Sequence, residues 1–135
     1  MSAEPLLTDL DRRTIAVSKA LAADAVEKAG SGHPGTPISL ASVAWLLYQR
    51  EMVHDPLDPG WLGRDRFVLS IGHASLMQYI QLFLAGYDID LSGFTAFRSP
   101  AGLPGHPEFG EVAGVETTTG PLGARFANAV GLAMA

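Results

Sequence analysis

Three of the four histidines in this chain directly follow a glycine, as Gly32-His33, Gly72-His73 and Gly105-His106. Glycine fills 15 of the 135 positions, so three such pairs among four histidines exceed what chance placement gives. Glycine lets the backbone come close to a ligand, and the prolines after His33 and His106 bias those residues toward extended conformations. Each imidazole is thereby presented from a stiffened loop. A neutral imidazole donates from one ring nitrogen and accepts at the other, and it titrates near neutral pH, which suits proton transfer. For any one of the three, a turn residue with a solvated ring is the competing reading, and the grouping weighs against it. A metal site formed by the histidines is the sharper rival. Separations of 40 and 33 residues match no local ligand motif, and no flanking carboxylate is arranged for one. His54 lies in an acidic turn and reads as structural.

A second chemical signal is Thr117-Thr118-Thr119-Gly120-Pro121-Leu122-Gly123, a glycine-containing loop that runs into a helical pattern. The first turn of a helix leaves backbone N–H groups free and carries partial positive charge, so a phosphate or diphosphate binds there without side-chain cations. Gly120 leaves room for that anion. Gly-Pro also opens many helices that bind nothing, so this signal draws its weight from the histidines around it.

The elements that must position these residues are mainly helical. Thr8 with Asp11 three residues on forms a capping-box start, and Ile15, Ser18, Ala22 and Val26 follow at helical spacing. Leu10, Val17 and Leu21 add a second stripe, which predicts a helix over 9–29 buried on two sides and stopped by Gly30. Thr36-Pro37 predicts the cap and first turn of a second helix, running through Ala41, Ala44, Leu47 and Tyr48 to about Met52. Arg66-Phe67-Val68-Leu69-Ser70-Ile71 is the one convincing strand, with no evident pairing partner. A third helix follows Gly72 with Leu76, Ile80, Phe83 and Leu84 inward, and Gly86 ends it. Phe94 and Phe97 predict a further helical turn. Residues 98–119 show no periodicity, and loops of that length inside a domain are commonly functional. Pro121 is expected to begin a final helix, with Leu122, Phe126, Val130 and Met134 near one face. No stop signal closes that helix, so the chain is expected to be cut within it.

With 135 residues, 47% of them hydrophobic and 17% charged, the chain fits one globular unit and is too apolar for a disordered segment. A net charge of −5 from 9 basic and 14 acidic side chains offers no basic patch, so nucleic acid is not an expected partner. Without cysteine there is neither a disulfide framework nor a thiolate metal site. Residues 1–10 are polar and acidic, with no apolar signal core, and no run is long enough to span a bilayer. A cytoplasmic protein without membrane contact is the expectation.

Four segments in order resemble the transketolase family: Gly30-Ser31-Gly32-His33-Pro34-Gly35; Asp65-Arg66-Phe67-Val68-Leu69-Ser70 with Gly72-His73; Pro104-Gly105-His106-Pro107-Glu108; and Thr118-Thr119-Gly120-Pro121-Leu122-Gly123. The match includes the linking His54-Asp55-Pro56 turn and covers nearly the whole chain. The resemblance implies an α/β fold, in which residues 1–135 form the N-terminal part of a thiamine diphosphate-binding domain. That domain has a parallel sheet flanked by helices, is incomplete here and is mostly helical in this portion. It implies an enzyme of the pentose phosphate pathway that moves a two-carbon ketol unit from a phosphorylated ketose to an aldose and works as a homodimer. By position, His33 and His106 are substrate-side catalytic histidines that bond to sugar hydroxyls and assist proton transfer. His73 lies near the cofactor diphosphate, and Gly120, Pro121 and Leu122 match the cofactor-binding loop.

The family's last motif continues Gln-Gly, whereas this sequence has Ala124-Arg125. Its Gly-Asp-Gly motif and following asparagine, which hold Mg2+ or Ca2+, its activating glutamate and its phosphate-binding arginines come further along and are not among these residues. The chain alone is therefore expected to be inactive, with metal ligands supplied by the remainder of the enzyme or by a complementary C-terminal subunit. A related thiamine-dependent enzyme, such as a dehydrogenase first component, is disfavoured by the paired Gly-His-Pro loops. A non-catalytic relic or one subunit of a split enzyme is the alternative, with Ala124-Arg125 its best support.

Overall fold

The computed structural model describes residues 7–135, so the first six positions of the polar opening stretch lie outside the described residues. Helix α1 spans Asp9–Ala29. Its start is the expected capping box: the Asp11 N–H donates to Thr8 Oγ1 at 3.2 Å, and the Thr8 N–H donates to Asp11 Oδ2 at 2.8 Å. Gly30 ends it in the left-handed region at φ 65°. Ile15, Ser18 and Ala22 face inward, as their spacing requires, whereas the expected Val26 is only half-buried and Ala25 takes the inner place beside it. The second stripe does not behave as expected, because Leu10 is 73% and Val17 65% exposed. Leu21 alone of that stripe is half-buried, packed against the main core.

The second predicted helix is three pieces. α2 spans Gly35–Ser39, α3 spans Ala41–Leu46, and a π-helical turn occupies Leu47–Glu51. α2 starts at Gly35, ahead of the expected Thr36 cap, with Pro37 buried inside its first turn, where a missing N–H costs no helical bond. Leu40, at φ −98° and ψ 6°, leaves helical geometry and lets α3 change direction. The π turn closes through the Met52 N–H donating to the Leu47 carbonyl at 2.8 Å.

Residues 66–71 are irregular, with a bend at Ser70, and no strand forms among the described residues. The sheet of the expected α/β class is thus not built here. A strand exists only as a member of a ladder, and the described residues offer this segment no neighbour. A 3-10 turn, Gly72–Ala74, leads directly into α4, Ser75–Ala85, which ends at left-handed Gly86 as expected. α4 is the centre of the fold. Residues 75–82 are all buried, so this helix has no solvent face over two turns. Leu76, Tyr79, Ile80 and Leu82 join Ala22, Ala25, Tyr48 and Phe94 in the main core. The short helix α5, Leu91–Thr95, contributes Phe94, and Phe97 packs just beyond it.

Residues 98–119 are irregular, as expected, and the final helix α6 spans Ala124–Met134. It begins three residues later than Pro121 because Gly123 adopts φ 86°, a left-handed conformation that cannot continue a right-handed helix. Its predicted inner face is inverted: Leu122, Phe126, Val130 and Met134 are 45–83% exposed, whereas Arg125 is buried.

Candidate functional site

The three Gly-His loops come from distant parts of the chain and meet at the N-terminal end of α4. His33 follows Gly32, whose φ of 142° is open to glycine and whose Cα face lies on Val26 of α1 and Phe97. This seats the loop between α1 and the segment after α5. The His33 and His73 rings lie 4.9 Å apart, centroid to centroid. His106 arrives from the other side. A Cβ placed on Gly72 would meet His106 Cδ2 at 2.9 Å and would collide with the Thr119 side chain. Gly72 is therefore the point where the His73 turn, the His106 loop and the threonine loop touch.

Hydrogen bonds fix this meeting. Ser75 Oγ, at the start of α4, donates to the Gly105 carbonyl at 2.9 Å and pins the residue before His106. The Thr119 N–H and hydroxyl both donate to the Pro107 carbonyl, at 2.8 and 3.1 Å. The Phe109 N–H donates to Thr118 Oγ1 at 3.0 Å. The loop carrying His106 is thus sewn to the loop that leads to residues 120–123. His33 and His106 are exposed and His73 is half-buried, an arrangement that leaves the rings open to a ligand from solvent.

One strap was not foreseen. Arg64 forms a two-pronged ion pair with Glu116, 52 residues away, and its Nη2 donates to Glu116 Oε2 at 3.1 Å. The two side chains are only 11% and 7% exposed. Arg64 Nε also donates to the Pro59 carbonyl at 2.6 Å, and Arg66 approaches the same carboxylate at 3.8 Å. Pairing with Glu116 holds the Arg64 guanidinium above its already high pKa. The ion pair anchors the chain one residue before Thr117. Gly72, Ser75 and Thr119 also belong to the site; Gly72 and Thr119 stand in the motifs noted in the sequence, whereas nothing there pointed to Ser75.

Residues 120–123 form an exposed turn ahead of α6. The start of α6 has no side-chain cap and no acidic residue in its first turn, and a Cβ on Gly120 or Gly123 would meet open space. Its free amides and dipole suit an anion, and no side chain among the described residues fills the space beside Gly120 and Gly123. A diphosphate fits this end. Pro121 and Leu122 precede the helix instead of opening it, so the N–H groups that would face an anion belong to Gly120, Leu122, Gly123, Ala124 and Arg125, proline having none. Arg125 turns inward: it is 7% exposed, its Nε has no partner, and Nη1 donates to Asn128 Oδ1 at 3.1 Å once that amide faces it.

His54 is apart from this cluster. Its Nε2 lies 2.9 Å from the Tyr48 carbonyl, and its ring packs beside Tyr87, so it serves the core as expected. Among the described residues no group of three or more His, Asp or Glu side chains is placed to hold a metal ion. None of the described helices is long and apolar enough to cross a membrane.

Comparison with known proteins bears on the same residues. Residues 10–135 match the family model for the transketolase thiamine diphosphate binding domain. The transketolase of Mycobacterium tuberculosis is 56% identical over 129 residues, covering 95% of this chain and 18% of the relative. Transketolase 2 of Escherichia coli is 54% identical, covering 87% of this chain and 18% of its own length. Among solved structures, transketolase from Campylobacter jejuni superposes with a TM-score of 0.89 at 45% identity, covering 96% of this chain and 20% of that one. A Pichia stipitis transketolase in complex with sedoheptulose 7-phosphate gives 0.88 at 45% identity, covering 92% and 18%. The chain thus spans about a fifth of the length of the relatives it matches.

Proposed function

The chain belongs to the transketolase family, and on that premise we propose that it supplies one part of a thiamine diphosphate site for two-carbon ketol transfer between phosphorylated sugars. The observation that carries this reading is the meeting of His73, His106 and Thr119 around Gly72, with the His33 ring tilted against His73 and an uncapped helix start after Thr119. When bound, thiamine diphosphate supplies the carbanion chemistry. The N–H groups of Gly120, Leu122, Gly123, Ala124 and Arg125 and the dipole of α6 hold its diphosphate, with His73 as a hydrogen-bonding neighbour and Gly120, Pro121 and Leu122 shaping the turn against it. His33 and His106 bond to the hydroxyls of donor and acceptor sugars and move protons at the reacting carbons.

The divalent metal, Mg2+ or Ca2+, needs oxygen ligands that the described residues do not group together. Those ligands come from the remainder of the enzyme, as do the missing strands that pair with residues 66–71, in a cytoplasmic homodimer serving the pentose phosphate pathway. The test is a mixing assay. Purified chain with thiamine diphosphate and magnesium shows no ketol transfer, and adding the remaining part of a transketolase as a separate polypeptide restores it. Turnover by the chain alone would overturn the claim of incompleteness. Unchanged turnover after replacing His33 and His106 by alanine in the reconstituted enzyme would remove both histidines from the chemistry. The inward-turned Arg125 favours a second reading, a scaffold that keeps the helices without the cofactor, and failure of the intact chain to bind thiamine diphosphate would support it.

A further inference from the structure

Over its buried stretch, residues 75–82, α4 carries three polar side chains, Ser75, Gln78 and Gln81, each at most 1% exposed. Their three-residue spacing sets them along one side of the helix. A buried polar side chain finds a partner or costs stability, so such a stripe marks what the helix holds. Its partner is the irregular segment 98–119. Ser75 Oγ donates to the Gly105 carbonyl at 2.9 Å, and one turn on Gln78 Nε2 donates to the Gly114 carbonyl at 3.4 Å. Gly114 sits nearer to the core than a residue with a side chain could: its φ is 84°, and a Cβ there would meet Leu82 Cδ2 at 2.5 Å and Tyr87 Cε1 at 2.9 Å. Val112 and Val115, on either side, are buried in the main core. Glu116 then pairs with Arg64, and Thr119 donates twice to the Pro107 carbonyl. The threonine loop is thus held from three directions. Among the described residues, the Gln78 bond is its one hydrogen bond to the helix that follows His73.

We propose that Gln78 is a positioning residue for the cofactor turn: by fixing Gly114 against the middle of α4, it sets the distance between His73, at the head of that helix, and Thr119 with residues 120–123 behind it. The inference rests on the reading of that turn as the diphosphate-binding end of α6. Gln78 touches no ligand and acts only through the loop backbone. An apolar side chain of the same length would fill its place but leave the Gly114 carbonyl without its donor, and the loop would lose its registration on α4 while Arg64 and Pro107 still held it elsewhere.

The experiment compares Gln78→Met with Gln81→Met in the full isotope-labelled chain. Both remove an amide at constant length, but Gln81 has no hydrogen bond to the loop among the described residues, and its Oε1 is unpartnered. Amide hydrogen exchange is read first, without ligand and relative to the amides of α1, which cancels any change in overall stability. Gln78→Met speeds exchange at the Thr119 and Phe109 N–H groups about fivefold or more and moves the His73 ring resonances, and Gln81→Met does neither. Thiamine diphosphate is then titrated, and Gln78→Met binds it about fivefold more weakly than the parent. In Gln78→Glu a protonated carboxyl still donates to the Gly114 carbonyl and an ionised one cannot. Its affinity relative to the parent therefore stays close at low pH and falls as the carboxyl ionises, a profile that a residue serving stability alone would not give. Parent values for Thr119 exchange and the His73 ring in Gln78→Met would overturn the proposal, as would equal effects from both methionine variants or an unchanged affinity. Failure of the parent to bind thiamine diphosphate counts against the cofactor reading alone, because the ligand-free comparison decides by itself whether Gln78 sets the loop.

Discussion

Replacing Glu116 by glutamine removes the carboxylate that neutralises Arg64 without changing the shape of the side chain. Both side chains are nearly buried, at 7% and 11% exposure, so water cannot stand in for the lost charge. Arg64 keeps its bond to the Pro59 carbonyl but loses two charge-assisted contacts, and the new amide N–H2 opposes another donor. A charge-assisted bond is worth roughly 1.5–3 kcal/mol, and removing one partner of a buried ion pair typically costs 3–5 kcal/mol, so about 3 kcal/mol is the expectation for Glu116→Gln. In urea, with a slope of about 2 kcal/mol per molar, the unfolding midpoint falls by roughly 1.5 M. Fluorescence of buried Trp45 reports the transition. Replacing both partners by methionine leaves no unpaired charge and recovers most of the loss. A cost below about 1 kcal/mol for Glu116→Gln, or a double variant no better than either single one, would refute the view that this pair anchors the threonine loop.

Other expectations follow from the same geometry. Gly72→Ala drives a methyl group into Thr119 and His106; it costs about 1–3 kcal/mol by overpacking and separates the His106 loop from His73, seen as altered ring shifts of both histidines. Thr8→Ala removes the hydroxyl half of the capping box and costs about 1 kcal/mol in thermal unfolding. The Thr8 N–H, reinforced by the Thr8 hydroxyl and Arg50, holds the Asp11 carboxyl below its usual pKa of 3.8. Its stabilisation is therefore complete above that value and is lost as pH falls through the lower folded-state pKa. An acid titration of helix content loses part of its dependence in Asp11→Asn, and an unchanged profile would assign the acid sensitivity to other groups.

The parts of the fold written in local chemistry were legible. Thr8 with Asp11, the inward positions Ile15, Ser18 and Ala22, and glycines 30 and 86 each act over a few residues and appear where their spacing places them, while Val26, expected on the same stripe, is only half-buried. The three Gly-His loops were also legible, because glycine and proline constrain the backbone wherever they stand. What was hidden depends on partners. Among the described residues, 66–71 have strand composition but no ladder, and Leu122, Phe126, Val130 and Met134 are exposed, so composition named apolar surfaces that this stretch of chain does not itself cover. The break at Leu40 carries no glycine or proline, and the π turn at Leu47–Glu51 has no sequence signature. The pairs Arg64 with Glu116 and Asp11 with Arg50 span 52 and 39 residues, distances over which no periodicity speaks. The start of α6 differs from the sequence expectation for one reason: Pro121 suits a first helical turn, but the left-handed geometry of Gly123 sets the start at Ala124.

The account stands or falls on an anion seated at the start of α6 beside His73. The direct measurement is a thiamine diphosphate titration of the isotope-labelled chain at millimolar ligand, with thiamine as the control lacking phosphate. The account predicts joint shifts of the Gly120, Leu122, Gly123 and Ala124 amides and of the His73 ring with thiamine diphosphate, and none of these with thiamine. Shifts that leave those amides still, or that thiamine reproduces, would contradict it.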